Sequence, residues 1–482
     1  MAQPPALWRA LLPVVFLIAA LSINVIGVFG DEALSGSNQF ILLLSGAVAA
    51  AVGLLQGTSW KTIMEGIEHS IKATSGALVI LLLIGSLAGT WMLSGIVPAM
   101  IYYGLDLLNP TIFLPATAII CALVSLATGS SWSTSATVGI ALIGMGKAIG
   151  INEAFAAGSV ISGAYFGDKL SPMSDTTNLA PAVAGTDLFT HIRYMLYTTL
   201  PAFIVALIIF TLMGLQQEAT DSLERISVLQ SELAQTFHLS PWLFLVPALV
   251  ILLIVRKVPA LPALLLGTLA GALFAFLFQG ALLERIAGAP LDLAQGYRVI
   301  MNALTVSVNY PAQNPILQDL LTSGGMAGML PTVWLILAAM VFGGVMEACG
   351  FLHTLSSALL RLARGTASLI ATTAGTCLAL NVTASDQYLA IVVPGRMYAD
   401  AFRRRGLAPE NLSRTLEDSG TVTSVLVPYN TCGAYQSTVL GVDTLAYLPY
   451  AFFNYLSPLF TLLYAILNYK IRRLARPAAS GA

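Results

Sequence analysis

Apolar runs of about twenty residues recur along the whole chain, and they limit its possible folds more than any other feature. At about 1.5 Å rise per residue, a helix of twenty residues crosses a hydrocarbon core of about 30 Å. Because lipid offers the backbone no hydrogen-bond partner, each crossing run must form a helix. The runs lie at 11–30, 39–56, 77–98, 111–128, 195–214, 241–255, 258–279, 331–350, 365–380 and 446–469. They predict an all-α polytopic membrane protein with about ten clear spans.

The composition agrees with a chain that lies mostly in lipid. Charged residues make up 9% of the sequence and hydrophobic residues 57%, whereas a soluble domain has about 25% charged residues. A net charge of -1 offers no basic surface, so we expect no nucleic-acid partner. The sequence has no H-E-x-x-H, G-x-S-x-G or G-x-x-x-x-G-K-[ST] motif. We therefore expect neither an enzyme nor an ATP-driven pump, and no cofactor; a passive channel stays open as an alternative.

Basic residues flank the apolar runs in a consistent way that predicts the orientation. Cytoplasmic loops retain Lys and Arg, so both termini are expected in the cytoplasm. Acidic Asp31, Glu32 and Asp106 are then expected on the opposite side. The basic set comprises Arg9, Lys61, Lys72, Arg193, Arg256, Lys257, Arg361, Arg364, Arg403, Arg404, Arg405, Lys470, Arg472, Arg473 and Arg476.

Glycines and prolines recur at a nearly constant spacing, which indicates an internal repeat. The matched pairs lie 255 to 257 residues apart: Gly89 with Gly344, Gly95 with Gly350, Gly163 with Gly420, and Pro172 with Pro428. In the orientation above, the run at 77–98 crosses outward and the run at 331–350 crosses inward, so we predict inverted repeats. The predicted parts are N-terminal spans at 1–76, a first repeat with a hairpin and a broken helix at 77–215, a connector with two spans at 216–330, and a second repeat at 331–482.

A polar segment interrupts the apolar sequence of the first repeat and contains candidate ion ligands. Pro172 breaks the helix there, which frees backbone carbonyls and leaves helix ends whose partial charges can hold an ion. Asp168, Asp175 and Asn178 offer the hard oxygen ligands that Na⁺ prefers, and the hydroxyls of Thr176 and Thr177 lie beside them in the sequence. Lys169 suggests a structural ion pair with Asp168 as the alternative.

A second cluster of hydroxyl groups precedes this segment, at 128–137, and is typical of a hairpin tip. Its candidate residues are Ser131, Ser133 and Thr134. Short hydroxyl side chains can satisfy a freed backbone or bind a cation, and both interpretations stay open.

The second repeat contains similar polar residues. Intramembrane carboxylates are costly and usually functional, which makes Asp386 and Asp418 candidates for ion binding. The other candidates are Thr383, Ser385, Asn430 and Thr431. We predict the Na⁺ site at Asp175, Asn178 and Asp386.

A buried carboxylate explains how such a protein would couple two ions. Burial raises the affinity of a carboxylate for its proton, so a proton and a desolvated Na⁺ compete for the same oxygens. If the site can turn from one side of the membrane to the other only when it is loaded, Na⁺ that leaves in one direction obliges protons to return in the other.

Long motifs of the chain resemble the NhaC family of sodium/proton antiporters. They are GAYFGDKLSPMSDTTNLAPAVAGTD at 163–187, GTWMLSGIVPAMIYYGL at 89–105, SDQYLAIVVPGRMYADAF at 385–402 and LSRTLEDSGTVTSVLVPYNTCGAYQSTVLGV at 412–442. The resemblance implies inverted repeats with re-entrant hairpins, a scaffold and a moving transport domain, a homodimer, and a place in the bacterial cytoplasmic membrane. It also implies Na⁺ and H⁺ as the transported species, with membrane lipid around the protein. The family's polar motifs fall on Asp168, Ser171, Asp175, Thr176, Thr177, Asn178, Asp386, Asp418, Asn430 and Thr431.

The same resemblance leaves a second function open. Relatives include carriers that exchange a dicarboxylate with protons for a monocarboxylate with sodium. Arg396 and the run Arg403 to Arg405 are candidates for an organic anion, although a cytoplasmic loop also explains them.

Overall fold

A computed structural model describes residues 5–29, 36–105, 109–216, 222–256, 258–307 and 324–474. Asp31, Glu32 and Asp106 of the expected acidic loops lie outside the described residues, as do Lys257 and Arg476 of the basic set. The helices are α1 (Leu7–Ser22), α2 (Ser37–Leu55), α3 (Trp60–Leu93), α4 (Ile96–Leu105), α5 (Pro110–Thr128), α6 (Ser131–Thr134), α7 (Ile140–Ala148), α8 (Glu153–Leu170), α9 (Asp175–Ala184), α10 (Leu188–Leu215), α11 (Ser222–Thr236), α12 (Leu245–Val255), α13 (Ala260–Phe278), α14 (Gly280–Ala287), α15 (Leu293–Thr305), α16 (Leu330–Ala348), α17 (Phe351–Leu360), α18 (Thr366–Thr383), α19 (Gln387–Arg404), α20 (Pro409–Leu416), α21 (Thr431–Leu440), α22 (Thr444–Tyr447) and α23 (Phe452–Ile466).

π-Helical turns extend three of these helices. One at Ile23–Phe29 follows α1, one at Ser135–Gly139 joins α6 to α7, and one at Glu417–Thr421 follows α20.

Eight helices within the described ranges are long and apolar enough to cross a membrane, which confirms a multi-pass membrane protein. A further candidate is the bent pair Ser227–Thr236 and Pro241–Val255, whose axes differ by 87°. The run expected at 446–469 forms only the shorter helix α23, because the chain turns at Leu448–Tyr450 before it. The boundary predicted between 76 and 77 falls inside the continuous helix α3.

The described helices of the two halves follow the same order at a spacing of 256 residues. Helices α5, α8 and α9 begin at 110, 153 and 175, and α18, α20 and α21 begin at 366, 409 and 431. The spacing pairs Pro172 with Pro428, as the sequence predicts. It pairs Gly163 with Ser419 rather than with Gly420, so that sequence match is one residue out of register.

Each half contains two helix breaks with the same local chemistry. One break of the first half lies at Gly129, and the corresponding break of the second half lies 256 residues later, at Ser385. Both residues have a left-handed backbone, with φ of 71° and 57°. The other two breaks separate α8 from α9 and precede α21, and they contain Pro172 and Pro428. Gly129, Pro172 and Pro428 end helices locally, so the sequence indicates these three breaks. The left-handed backbone at Ser385 is not one that serine favours, so the sequence does not indicate the fourth.

Close packing of α5 on α8 holds the first pair of breaks together. Gly163 and Gly167 lie four residues apart on α8, and a Cβ atom on either would meet the backbone of α5. Small residues at this spacing let helix backbones approach closely in membranes.

Candidate ion-binding site

The helix breaks meet around a cavity of about 700 Å³. Helices α6, α9, α19 and α21 all begin at this cavity, and their N-caps are Ser130, Ser174, Asp386 and Asn430. The opposite wall is mostly apolar and consists of residues of α3 together with Ile254, Val258, Pro259 and Ala260. The cavity therefore has polar helix ends on one side and an apolar wall on the other.

Asp168 lies at the cavity with its side chain almost fully buried. Its Oδ2 accepts hydrogen bonds from the Ser131 backbone N–H at 3.1 Å and from the Ser131 hydroxyl at 2.7 Å. Its Oδ1 is buried without a hydrogen-bond partner of good geometry, although the Ser174 hydroxyl lies near the carboxylate. A buried carboxylate oxygen in this state is free to take a cation or a proton.

Asp175 is the first residue of α9 and is exposed to the cavity. Its Oδ1 accepts a hydrogen bond from the Thr176 backbone N–H at 2.9 Å. Its Oδ2 accepts a short hydrogen bond from the hydroxyl of Tyr388, which belongs to α19 in the second half of the chain. The two halves therefore meet at this carboxylate.

Asp386 lines the same cavity as the N-cap of α19. Its Oδ1 accepts a hydrogen bond from the Leu389 backbone N–H at 2.9 Å. The preceding residue, Ser385, accepts a bond at its carbonyl oxygen from the Thr431 N–H at 3.1 Å. This bond joins the start of α19 to the start of α21.

Hydrogen bonds at the cavity repeat at the spacing of the helices. Ser131 donates to Asp168 in the first half. In the second half Gln387 corresponds to Ser131 and Ser424 to Asp168, and here Ser424 donates to Gln387 Oε1 at 3.0 Å. The repeated bond has a carboxylate in the first half and a neutral amide in the second. Negative charge at this pair of positions is therefore confined to the first half.

The cavity brings together only part of the predicted site. Asp168, Asp175, Asp386, Ser131, Ser133 and Thr431 line it. The predicted residues that do not line it are Asn178, Thr176, Thr177, Thr134, Thr383, Ser385, Asn430 and Asp418.

Several of the residues off the cavity satisfy the broken backbone instead. The exposed Asn178 donates its amide to the carbonyls of Pro172 at 2.9 Å and Ser174 at 2.6 Å. Thr177 donates to the carbonyls of Asp168 and Lys169 at 3.2 and 3.1 Å. These bonds tie both side chains to the backbone at the break between α8 and α9.

Three more of these residues form short-range hydrogen bonds to the backbone at the other breaks. Thr134 donates to the Ser130 carbonyl and Thr383 to the Ala379 carbonyl. Asn430 caps α21 by accepting from the Cys432 N–H at 3.1 Å.

Asp418 lies away from the cavity and is fully buried in an ion pair with Lys169. Its carboxylate also accepts from the hydroxyls of Thr198 at 2.8 Å, Ser457 at 3.1 Å and Thr461. Lys169 is thus the partner of Asp418 and not of Asp168, the alternative that their sequence neighbourhood suggested.

Residues that the sequence did not single out also line the cavity, and they include Trp132, Gln387, Tyr388 and Cys432. None of them has a carboxylate or a short hydroxyl side chain, the groups on which most of the sequence predictions rest. A usable signal was present, because Gln387 and Tyr388 lie 256 residues after Ser131 and Trp132. Arg396, a candidate for an organic anion, lies exposed on α19 and does not line the cavity.

Broken helices from both halves of the chain around a carboxylate-lined cavity define a secondary transporter. Comparison with known proteins narrows this class: the chain belongs to the Na⁺/H⁺ antiporter family, whose model matches residues 163–469.

Curated relatives cover most of the chain and include carriers of different cargo. The sequence is 38% identical to the Na⁺/H⁺ antiporter NhaC of Alkalihalophilus pseudofirmus over 421 residues, which is 87% of this chain and 88% of that one. It is 35% identical to the malate-2H⁺/Na⁺-lactate antiporter of Bacillus subtilis, over 87% of each chain. It is 32% identical to the arginine/ornithine antiporter ArcD of Halobacterium salinarum, over 97% of this chain and 93% of that one.

Proposed function

We propose that this protein exchanges Na⁺ for H⁺ by alternating access, with the carboxylates of Asp168, Asp175 and Asp386 binding the two ions competitively. One observation carries the proposal: these three carboxylates share one cavity, and the described residues that line it include no Lys, Arg or His. Such a lining attracts cations and repels anions.

The hydrogen bonds of the three carboxylates support competition between Na⁺ and protons. Each carboxylate has one oxygen bonded to a backbone N–H at the start of a helix. These bonds fix the position of each carboxylate. A fixed oxygen of negative charge can bind Na⁺ or a proton, but not both.

The remaining predicted site residues take supporting roles in this proposal. Asn178, Thr177 and Asn430 hold the broken helix ends in place through the hydrogen bonds described above. Asp418 could bind an ion only by breaking its ion pair with Lys169, so we assign it a structural role beside the site.

The membrane context is proposed on the loop charges and the family resemblance. We place the protein in the bacterial cytoplasmic membrane as a homodimer with both termini in the cytoplasm. The two repeats are related by an axis in the membrane plane, and one part moves against a scaffold. Its activity is transport, with Na⁺ and H⁺ as cargo and no cofactor.

The test measures Na⁺-driven proton movement in everted membrane vesicles with a pH-sensitive dye. Addition of Na⁺ should collapse a preformed pH gradient in vesicles with the wild-type protein. Asp168→Asn and Asp175→Asn should abolish this response while the protein remains inserted, because each keeps the side-chain volume and removes the charge. Asp400→Asn is the matched control, since Asp400 is exposed on α19 and pairs with Arg403. Full activity in both site variants would refute the proposed site.

An organic-acid antiporter is the second candidate, and three observations favour it. The cavity of about 700 Å³ is much larger than a bare Na⁺ needs, and four helix amino-terminal ends, which attract anions, begin at it. A relative is named for exchanging malate and lactate. If Na⁺ alone never collapses the gradient but Na⁺ with malate or lactate does, the second candidate replaces the first.

A further inference from the structure

The cavity is larger and more varied than a Na⁺ site needs. A bare Na⁺ is bound by oxygen atoms, and an apolar wall offers it none. Pockets of about 300–1,000 Å³ that combine apolar walls with a few polar groups are typical of sites for small organic molecules. This cavity has a volume of about 700 Å³ and both kinds of lining. It therefore has the build of a site for an organic cargo, and its charge decides which kind.

The apolar wall includes a helix face with small side chains. Ala73, Gly76, Ala77 and Ile80 of α3 line the cavity, at the spacing of residues that share one side of a helix. A Cβ atom added to Gly76 would meet nothing within 4 Å. The wall therefore leaves free space beside apolar side chains, where a hydrocarbon chain would be shielded from water.

The three carboxylates favour a positive ligand over a negative one. Helix amino-terminal ends attract anions, but at three of the four helix starts a carboxylate of the protein already accepts from a backbone N–H. These carboxylates are Asp168 at α6, Asp175 at α9 and Asp386 at α19. The described residues of the lining include no Lys, Arg or His that would offset their charge. An organic anion would therefore be repelled, whereas an organic cation would be attracted.

One carboxylate oxygen lacks a donor, and two aromatic rings line the same cavity. Asp168 is only 7% exposed, and its Oδ1 has no hydrogen-bond partner of good geometry. An N–H group of a cation can supply the missing bond. The rings of Trp132 and Tyr388 belong to the lining, and aromatic rings attract organic cations. An ammonium or guanidinium group has both the charge and the donors that this lining suits.

We propose that the cavity also accepts small organic cations as cargo, with an N–H-bearing head group at the carboxylates and a short hydrocarbon chain against α3. The inference rests on the proposed function, because it places the cargo at the same three carboxylates that bind Na⁺. The organic cation and Na⁺ compete for the site, and either exchanges for protons.

The binding test uses butylguanidinium, whose positive charge is permanent, and butylurea, its uncharged isostere. Both are titrated calorimetrically into the purified protein in detergent without Na⁺. We expect butylurea to bind about 10- to 100-fold more weakly, the change for losing a hydrogen bond between charged groups. Added Na⁺ should raise the apparent Kd of butylguanidinium, because the two cations share the carboxylates. Equal binding of the two compounds would overturn the inference, and so would tighter binding of the anion pentanoate.

Proteoliposomes with an acidic interior test whether the bound cation is transported. Labelled butylguanidinium should enter the vesicles as protons leave, and protein-free liposomes measure its passive leak. Binding without uptake beyond that leak would overturn the conclusion that the cation is cargo.

Gly76→Leu tests the place assigned to the hydrocarbon chain. Leucine is a good helix former, and the space beside Gly76 is free, so the variant should fold. We expect it to weaken butylguanidinium binding about 10-fold by overfilling the wall, and to weaken Na⁺ binding by a smaller factor. Gly375→Leu is the matched control, because its added Cβ also meets nothing within 4 Å and Gly375 lies on α18 outside the lining. The same affinity for butylguanidinium in both variants would contradict the assignment.

Failure of the inference and failure of the proposed function give different results. A wild-type protein that moves protons in response to Na⁺ but does not bind butylguanidinium refutes only the inference. A wild-type protein that exchanges butylguanidinium for protons but does not respond to Na⁺ refutes Na⁺/H⁺ exchange and leaves the organic cation as cargo.

Discussion

Lys169 and Asp418 form an ion pair in which neither side chain has any exposed surface. They are 249 residues apart and join the end of α8 in the first half to the π-helical turn Glu417–Thr421 in the second. Lys169 also donates to the Ser457 hydroxyl at 2.8 Å. Because Asp168 precedes Lys169, this pair fixes the last turn of the helix that carries a cavity carboxylate.

Removing one member of the pair should destabilise the protein strongly. Lys169→Met leaves the Asp418 charge buried without its partner, and we expect a loss of about 3–5 kcal/mol in the free energy of unfolding. The double variant Lys169→Met with Asp418→Leu should recover most of this loss, because apolar side chains often replace a buried pair at little cost. Thermal unfolding of the purified protein in detergent measures both effects.

Transport by the same double variant decides the role of Asp418. If the double variant folds and still exchanges Na⁺ for H⁺, Asp418 has a structural role and does not bind the transported ions. If it folds but exchanges nothing, the sequence prediction that Asp418 binds an ion is right. A double variant no more stable than Lys169→Met would contradict the structural account of the pair.

Two substitutions at Asp386 should separate its role as the N-cap of α19 from the role of its charge. Asn is as good an N-cap as Asp, so Asp386→Asn should keep the start of α19 and the wild-type unfolding temperature. It should nevertheless lose Na⁺-driven proton movement, because the charge is gone. Asp386→Ala should lose transport and also about 1 kcal/mol of stability. Transport by the Asn variant in the vesicle assay would remove Asp386 from the ion site.

The two left-handed residues at the corresponding breaks should respond in opposite ways to substitution. Gly129→Ala adds roughly 1–2 kcal/mol of backbone strain. Its Cβ atom would also lie 2.6 Å from Met173 Cβ and 2.9 Å from Ser174 N. Ser385→Gly should stabilise the protein by roughly 1 kcal/mol, because glycine adopts φ of 57° without strain. Unfolding temperatures that move in the same direction for both variants would contradict this account.

Close approach of α5 and α8 should make Gly163 intolerant of a side chain. A Cβ atom there would collide with the Ala118 carbonyl oxygen, so Gly163→Ala must separate the two helices. We expect a low yield of folded protein, measured by size-exclusion chromatography. Gly375→Ala is the matched control, because nothing lies within 4 Å of its added Cβ. That variant should fold normally and gain up to about 1 kcal/mol of helix stability.

Much of the fold could be predicted because its signals are local. Apolar runs gave most of the spans, and Pro172 and Pro428 gave the two corresponding breaks. The constant spacing of small residues indicated the repeat, although Gly163 and Gly420 were one residue out of register. The run at 446–469 was less predictable, because the turn at Leu448–Tyr450 shortens the helix that follows it.

The candidate site was less predictable, because a carboxylate in an apolar sequence does not reveal what faces it. Asp168, Asp175 and Asp386 were chosen for their charge and do line one cavity, yet Asp418 satisfied the same criterion and lies in an ion pair. Tyr388 has no charge, so the sequence did not single it out.

The sequence alone determined the membrane class, the helix breaks at glycine and proline, and which carboxylates lie within apolar sequence. Each of these depends on the chemistry of a few neighbouring residues in lipid. Only the tertiary structure decided that Asp175 faces Tyr388 and that Asp418 faces Lys169. Those partners lie more than two hundred residues apart, and the packing of whole helices brings them together.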